Sequence, residues 1–280
     1  MPDSVRTWLY APGDRPDRCL KALASGADQV IWDLEDAVPD DAKTTARDTL
    51  AQLLSGPLPR IPWIRVNGVD TDWGAEDVQR LSRAFPDGEA RWVVPKASRQ
   101  AVERLRQWGI RGRFLLIVET AAGLGDLWDV SRPWRLEGSS RLAFGALDYR
   151  NDVALGEMPD ETELTMPRSF IALASRCWNW GGPIDAVYPA IDDAEALLAS
   201  AQRGRALGMA GKMVIHPKQI APVHAAYAPT AEDVAWAQAV LGAIQGAGAA
   251  RVEGKMVDRP LVERARQILS EADGIAPEAP

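Results

Sequence analysis

Eight short apolar runs recur along the 280-residue chain, and each is followed by a segment long enough for a helix. They are residues 6–12 (RTWLYAP), 29–35 (QVIWDLE), 62–67 (PWIRVN), 90–97 (ARWVVPKA), 113–120 (RFLLIVET), 140–148 (SRLAFGALD), 183–190 (PIDAVYPA) and 212–217 (KMVIHP). Each is rich in Val, Ile, Leu or aromatics, as strands are. Strand–helix alternation repeated eight times over roughly 250 residues meets the requirement of a (β/α)8, or TIM, barrel. In such a barrel the active site lies at the C-terminal ends of the strands. Here those ends supply Glu35, Asp36, Arg65, Lys96, Glu119, Asp148 and His216, a set that points to a metal and an anionic substrate.

The connections read as helices. Pro12-Gly13-Asp14 makes a turn, Pro16 suits a first helical turn, and Gly26 closes that helix. Segments 40–56, 74–85, 98–109 and 193–208 are amphipathic in the same manner. The longest link joins the sixth and seventh runs, and its GEMPDETELTMP portion reads as a loop over the barrel mouth. After the eighth run come a helix, a Gly-containing linker around Gly246 and a final helix, more than a barrel needs to close. The expected organisation is a barrel domain over 1–228 and a C-terminal helical extension over 229–280 that carries a lid.

Composition narrows the function class. Apolar residues at 46% and charged residues at 25% are ordinary for a globular chain, and the net charge of −7 argues against a nucleic-acid partner. Cys19 and Cys177 are too few for a disulfide framework or a thiolate cluster, as expected of a cytoplasmic protein. The opening residues lack the apolar core of a signal peptide, and no run approaches a membrane span.

The chemistry centres on two acids. Glu119 and Asp148 end adjacent strands in a barrel, so their carboxylates can converge at the mouth. Two carboxylates without thiolates or clustered histidines suit a hard cation such as Mg²⁺, with Mn²⁺ left open by ligand type alone. Equally, one of these acids could cap a helix or pair with a neighbour. Arg65, near the end of the third run, can grip a carboxylate through two parallel hydrogen bonds. It can also form a structural salt bridge to Glu35 or Asp36, and these roles are compatible: the acids would stand behind Arg65 and orient it. In DLED, Asp33 and Glu35 share one strand face, so one of them should meet Arg65, a lysine or metal-bound water. Lys96 is a Schiff-base candidate, but beside two metal-binding acids an ion-pair role is its ordinary reading. His216 reads as a strand stop, and with His224 it is too sparse for a zinc site.

The motifs VIWDLEDAV, WIRVN, VVPKA, IVETAAG, FGALDY, KMVIHPKQI and EGKMVDRP, in this order, resemble the citrate lyase β-subunit-like branch of the HpcH/HpaI aldolase family from Leu9 to about Leu269. That resemblance implies a Mg²⁺-dependent carbon–carbon lyase on a (β/α)8 barrel. The substrates would be 3-hydroxyacyl thioesters of the citryl-, malyl- or citramalyl-CoA type, cleaved to an oxo acid and an acetyl thioester or formed in reverse. It implies Glu119 and Asp148 as metal ligands, with Arg65 and the backbone around Leu147 on the oxo-acid carboxylate. Asp258 would be the acid/base, arriving on a lid from a neighbouring subunit, so the protein would be a homo-oligomer of the trimer or hexamer-of-trimers type. As a residue alone, Asp258 also reads as the N-cap of the final helix, with Pro260 in its first turn. Tyr10 and Lys21 match positions that contact coenzyme A. A second basic position of that pattern is Asp17 here, with Arg15 and Arg18 close by, which leaves the carrier open between coenzyme A, an acyl-carrier protein and a different thioester. Two other readings stand beside this one: a metal-dependent 2-oxo-acid aldolase without a thioester, and a non-catalytic subunit of a multi-protein lyase.

Overall fold

A computed structural model describes residues 5–86, 88–129, 134, 136, 140–243, 251–252 and 255–272. Eight parallel strands, β1 (Thr7–Pro12), β2 (Gln29–Asp33), β3 (Trp63–Arg65), β4 (Arg91–Val94), β5 (Arg113–Val118), β6 (Ser140–Phe144), β7 (Ile184–Asp185) and β8 (Gly211–Val214), close into a barrel in sequence order. Closure is direct, with Thr7, Trp8 and Leu9 of β1 in register with Lys212, Met213 and Val214 of β8.

Alternation along each strand decides what fills the barrel. Trp8, Ile31, Trp63, Val93, Leu115, Ile117, Ala143, Ile184 and Met213 form one buried cluster, and the Trp8 and Trp63 rings lie 5.0 Å apart. The alternate residues Trp32, Ile64, Trp92, Leu116, Leu142 and Val214 are also buried. Burial on both strand faces is why the runs read as nearly continuous apolar sequence. Each such side chain contributes about 1.5–3 kcal/mol on leaving water.

The connecting helices are α1 (Pro16–Leu23), α2 (Lys43–Leu54), α3 (Asp72–Leu81), α4 (Arg99–Gln107), α5 (Ala121–Asp126), α6 (Ala146–Asp152), α7 (Thr165–Cys177), α8 (Ala194–Ala206) and α9 (Ile220–Tyr227). Thr71, Ser98, Thr120 and Asp193 cap α3, α4, α5 and α8, each side chain accepting a first-turn N–H. At the N-terminal end of the barrel, Asp28 accepts the N–H groups of Arg6 and Thr7 at 2.8 and 2.9 Å and lies 3.0 Å from the His224 ring. His224 therefore belongs to the end of the barrel opposite His216.

By compactness the chain divides into a unit over Val5–Ala226 and another from Tyr227 onward. In the second, α10 (Ala231–Ala243) and α11 (Arg259–Ala272) bury Ala237, Val240, Ala265 and Ile268 against one another. Strands β9 (Arg251–Val252) and β10 (Lys255–Met256) pair antiparallel. The linker expected around Gly246 lies outside the described residues. No described helix is long and apolar enough to cross a membrane.

One expectation is corrected. Asp148 does not end a strand: β6 stops at Phe144, and Asp148 stands in the first turn of α6. Gly145 and the helix that follows it, rather than strand alternation, aim this carboxylate.

Candidate active site

Period-two alternation carries the inward face of each strand up to the mouth. On β5 the series Leu115, Ile117 ends at Glu119; on β3 Trp63 leads to Arg65; on β2 Ile31 leads to Asp33; on β1 Trp8 leads to Tyr10. Below this polar layer the strands present mainly apolar residues to the barrel interior.

Arg65 organises one half of the layer. Its Nε and Nη2 each donate to Asp33 at 2.6 Å, a bidentate fork. Nη1 lies 2.8 Å from Glu35 Oε2, an ion pair without hydrogen-bond alignment, and 3.4 Å from Asp36. Below, the Tyr10 ring faces the guanidinium at 4.8 Å. Asp33 is almost wholly buried and also accepts the N–H groups of Glu35 and Ala37 at 2.9 and 3.2 Å. Removing one partner of a buried pair of this kind costs about 3–5 kcal/mol. Burial opposes the charge on Arg65, yet Asp33, Tyr10 and Glu35 outweigh it and hold the guanidinium firmly protonated. Burial pushes Tyr10 far above the ordinary phenol range.

Glu119 organises the other half. It is 3% exposed, and its Oε1 accepts the Lys96 N–H at 2.6 Å. Lys96 takes a left-handed conformation, φ 48°, which turns its own N–H onto the acid. Gly145 stands against the Glu119 carboxylate, and a Cβ there would overlap Oε2. Burial, and next the charge of Glu35, push Glu119 up to about 8, with Asp148 adding to the shift and the Lys96 N–H opposing it. Burial pushes Glu35 up to about 7; Arg65 opposes this, while Asp36 and Asp33 add to it. For the Lys96 ammonium, burial is outweighed by Glu35, Glu119, Asp36 and Asp148, so its pKa rises. With Nζ 3.6 Å from Glu35, Lys96 is an ion-pair lysine, held in the opposite sense to what a Schiff-base amine needs.

Among the described residues the mouth thus brings together five carboxylates (Asp33, Glu35, Asp36, Glu119, Asp148) and two cations (Arg65, Lys96), and the neighbouring charges act on Glu35, Lys96 and Glu119. Asp33 is neutralised by its fork. The surplus lies toward Glu119 and Asp148: burial, with Glu35 and Asp148 adding, raises the Glu119 pKa against the opposing Lys96 N–H and Arg65. An oxygen-only pair with excess negative charge fits Mg²⁺. No group of three or more His, Cys, Asp or Glu side chains suited to a metal occurs among the described residues, so water and substrate oxygens would complete such a shell.

The other expected residues fall in several places. Leu147, beside Asp148 in α6, is 43% exposed. Tyr10 sits within the barrel, its hydroxyl donating to Met213 Sδ at 3.2 Å. Lys21 is exposed on α1, 4.0 Å from Asp17, which lies equally far from Arg15. Asp258 is exposed and caps α11, its Oδ1 accepting the Leu261 N–H at 3.2 Å. His216 caps the turn at Pro217–Gln219 through its Nδ1. Sequence reasoning missed Gly145 and the Lys96 backbone, and it left open which acid would take the Arg65 fork. It also missed Lys43, a buried lysine whose Nζ donates to the carbonyls of Leu34 and Glu35 at 3.1 and 2.9 Å and so holds the loop bearing Glu35. The only sequence signal for Lys43 was its place at the start of an amphipathic helix.

Fold and mouth define a class: a (β/α)8 barrel whose C-terminal mouth sets an arginine fork beside surplus carboxylates, the equipment of metal-assisted chemistry on small acids. Comparison with known proteins then gives the family. Residues 6–217 match the family described as HpcH/HpaI aldolase/citrate lyase, and residues 178–275 match C-C_Bond_Lyase of the TIM-Barrel fold. The chain belongs to the HpcH/HpaI aldolase/citrate lyase family. It is 34% identical to a citrate lyase subunit beta-like protein of Deinococcus radiodurans, covering 96% of this chain and 98% of the relative. It is 32% identical to a (3S)-malyl-CoA thioesterase of Cereibacter sphaeroides, covering 97% and 95%. Among solved structures, CitE of Mycobacterium tuberculosis in complex with magnesium, acetoacetate and coenzyme A superposes with a TM-score of 0.81 at 31% identity, over 96% of this chain and 98% of that one.

Proposed function

We propose that this protein is a Mg²⁺-dependent carbon–carbon lyase that cleaves a 3-hydroxyacyl-CoA of the malyl, citramalyl or citryl type into an oxo acid and acetyl-CoA, or runs the reverse condensation. The observation that carries this reading is the juxtaposition of the Arg65 fork with the surplus acids Glu119 and Asp148 at one barrel mouth. The magnesium, acetoacetate and coenzyme A bound by the CitE neighbour support it. Glu119 and Asp148 would hold the cation. When bound, Mg²⁺ polarises the substrate hydroxyl and carboxylate oxygens and makes the hydroxyl proton easier to remove.

The chain's own residues supply the rest. Asp33 engages two N–H groups of Arg65 and fixes its plane, leaving donors for the substrate carboxylate, which the backbone at Leu147 also meets. Asp258 of a neighbouring subunit would take the hydroxyl proton, the hydroxyl carbon would become the oxo carbon of the released oxo acid, and the carbon–carbon electron pair would pass to the thioester α-carbon. The same Asp258, in a homo-oligomer, would then return that proton to the α-carbon to give the acetyl thioester. The exposed basic residues of α1, including Lys21, serve the coenzyme A portion, whereas Tyr10, expected to join them, stands inside the barrel against Arg65 and Met213.

A second reading, thioester hydrolysis, is favoured by the malyl-CoA thioesterase relative. One experiment separates the two. Malyl-, citramalyl- and citryl-CoA are incubated with the protein and Mg²⁺, and glyoxylate, pyruvate, oxaloacetate and free thiol are measured. Oxo acid with acetyl-CoA supports the lyase; free thiol with intact hydroxy acid supports the thioesterase; no product from any thioester overturns both.

A further inference from the structure

The helix that carries Asp148 is short. α6 has seven residues, too few to hold its direction through its own hydrogen bonds, so its aim depends on what pins it. At its C-terminal end Asp152 accepts the N–H of Ala121 at 2.6 Å, the first residue of α5 and two beyond Glu119. On another side Arg150 donates its Nε and Nη2 to Glu163 Oε1 at 2.9 and 2.6 Å. The side chains of this pair are only 11% and 7% exposed.

Glu163 lies in a 3-10 turn, Thr162–Leu164, and the residue before that turn is anchored in its own right. Glu161 is left-handed, φ 53°, and its carboxylate accepts from Arg168 Nη1 at 3.1 Å and Ser200 Oγ at 3.0 Å. Arg168 donates in turn to Asp185 of β7 at 2.9 and 3.1 Å, and Lys212 of β8 donates to Asp185 at 2.8 Å. Arg168 and Lys212 face Asp185 and Glu161 in this buried network, Arg203 lies 3.5 Å from Glu161 at its edge, and Leu164 is wholly buried. Ion pairs therefore fasten Glu161 to the barrel wall at β7 and β8 and Glu163 to the helix bearing Asp148, and the backbone of the 3-10 turn between them joins the two.

We propose that Glu163 is a positioning residue: with Glu161 it forms a clasp that holds α6 to the barrel wall through Arg150 and so sets the aim of Asp148 toward Glu119. The inference rests on the reading of Asp148 as a cation ligand, and its test carries one readout that does not. Arg150→Met and the milder Glu163→Gln are compared with wild type by calorimetric titration with Mg²⁺ alone and by amide hydrogen exchange of residues 146–152 without metal. The expected result is Mg²⁺ affinity lower by roughly ten-fold or more, in line with groups that orient a metal ligand from behind, with faster exchange confined to α6. The double reversal Arg150→Glu with Glu163→Arg should recover much of both. Lower melting temperature with unchanged affinity and unchanged exchange in α6 would overturn the clasp. If wild type binds no Mg²⁺, the metal reading fails by itself; faster exchange in the variants would still support the clasp, and unchanged exchange would end it.

Discussion

Gly145→Ala is the sharpest test of the candidate cation site, because the geometry specifies the cost. The added Cβ would overlap Glu119 Oε2 and lie 2.6 Å from Glu119 Cβ and 3.0 Å from Ile117 Cγ2, where ordinary contact begins at 3.4 Å. Glu119 has little room to withdraw: it is 3% exposed, and its Oε1 is tied to the Lys96 N–H at 2.6 Å. Overpacking of a close-packed interior costs about 1–3 kcal/mol, and the upper half of that range applies where the neighbour is fixed. Thermal melting should fall by roughly 2–4 °C per kcal/mol. Displacing the carboxylate should also weaken Mg²⁺ binding by about 10–100-fold. Scanning calorimetry of the metal-free protein and titration with Mg²⁺ read the two effects separately. A variant that melted with wild type and bound Mg²⁺ equally well would show that Glu119 is not confined as described and that its carboxylate is not the ligand.

Three further outcomes are expected. Arg65→Lys removes the planar fork, and losing a charged hydrogen bond costs about 1.5–3 kcal/mol; oxalate or oxaloacetate binding under saturating Mg²⁺ should weaken correspondingly, and unchanged affinity would refute the contact. Burial, with neighbouring carboxylates, pushes Glu119 up to about 8 and Glu35 up to about 7. Carboxyls raised in this way favour the fold fully below their unfolded value of 4.5, and that contribution is lost progressively as pH rises from there through about 7 and about 8. The metal-free melting temperature should therefore fall across that window, and Mg²⁺ binding at pH 7 should release protons, measurable by calorimetry in buffers of different ionisation enthalpy; a flat profile without proton release would contradict the shifts. Finally, mixing inactive Asp258→Asn subunits with inactive Glu119→Gln subunits should restore lyase activity if Asp258 serves a neighbour's mouth, whereas demonstrated subunit exchange without recovery would exclude that arrangement.

The sequence by itself determined the barrel and the phase of its strands. Alternation is a property of extended backbone, so once Ile117 or Trp63 is placed inside, Glu119 and Arg65 must rise on the same face. Strand-end reasoning paired Asp148 with Glu119 but put it on a strand, while the expected roles of Leu147 and Asp258 came from the family motifs. Other features were not legible because they depend on groups distant in the chain meeting in space. Asp33, rather than Glu35 or Asp36, takes the Arg65 fork across 32 residues, since β2 ends in register with β3 at that pair. Asp148 reaches the mouth from a helix, because β6 stops at Phe144. Gly145, the left-handed Lys96 and the Glu161–Glu163 clasp acquire meaning only beside Glu119 and α6. Local periodicity is written into covalent geometry, but which acid is buried, which is neutralised and which is left in surplus depends on the convergence of eight strands at one mouth, and only the tertiary structure decided that.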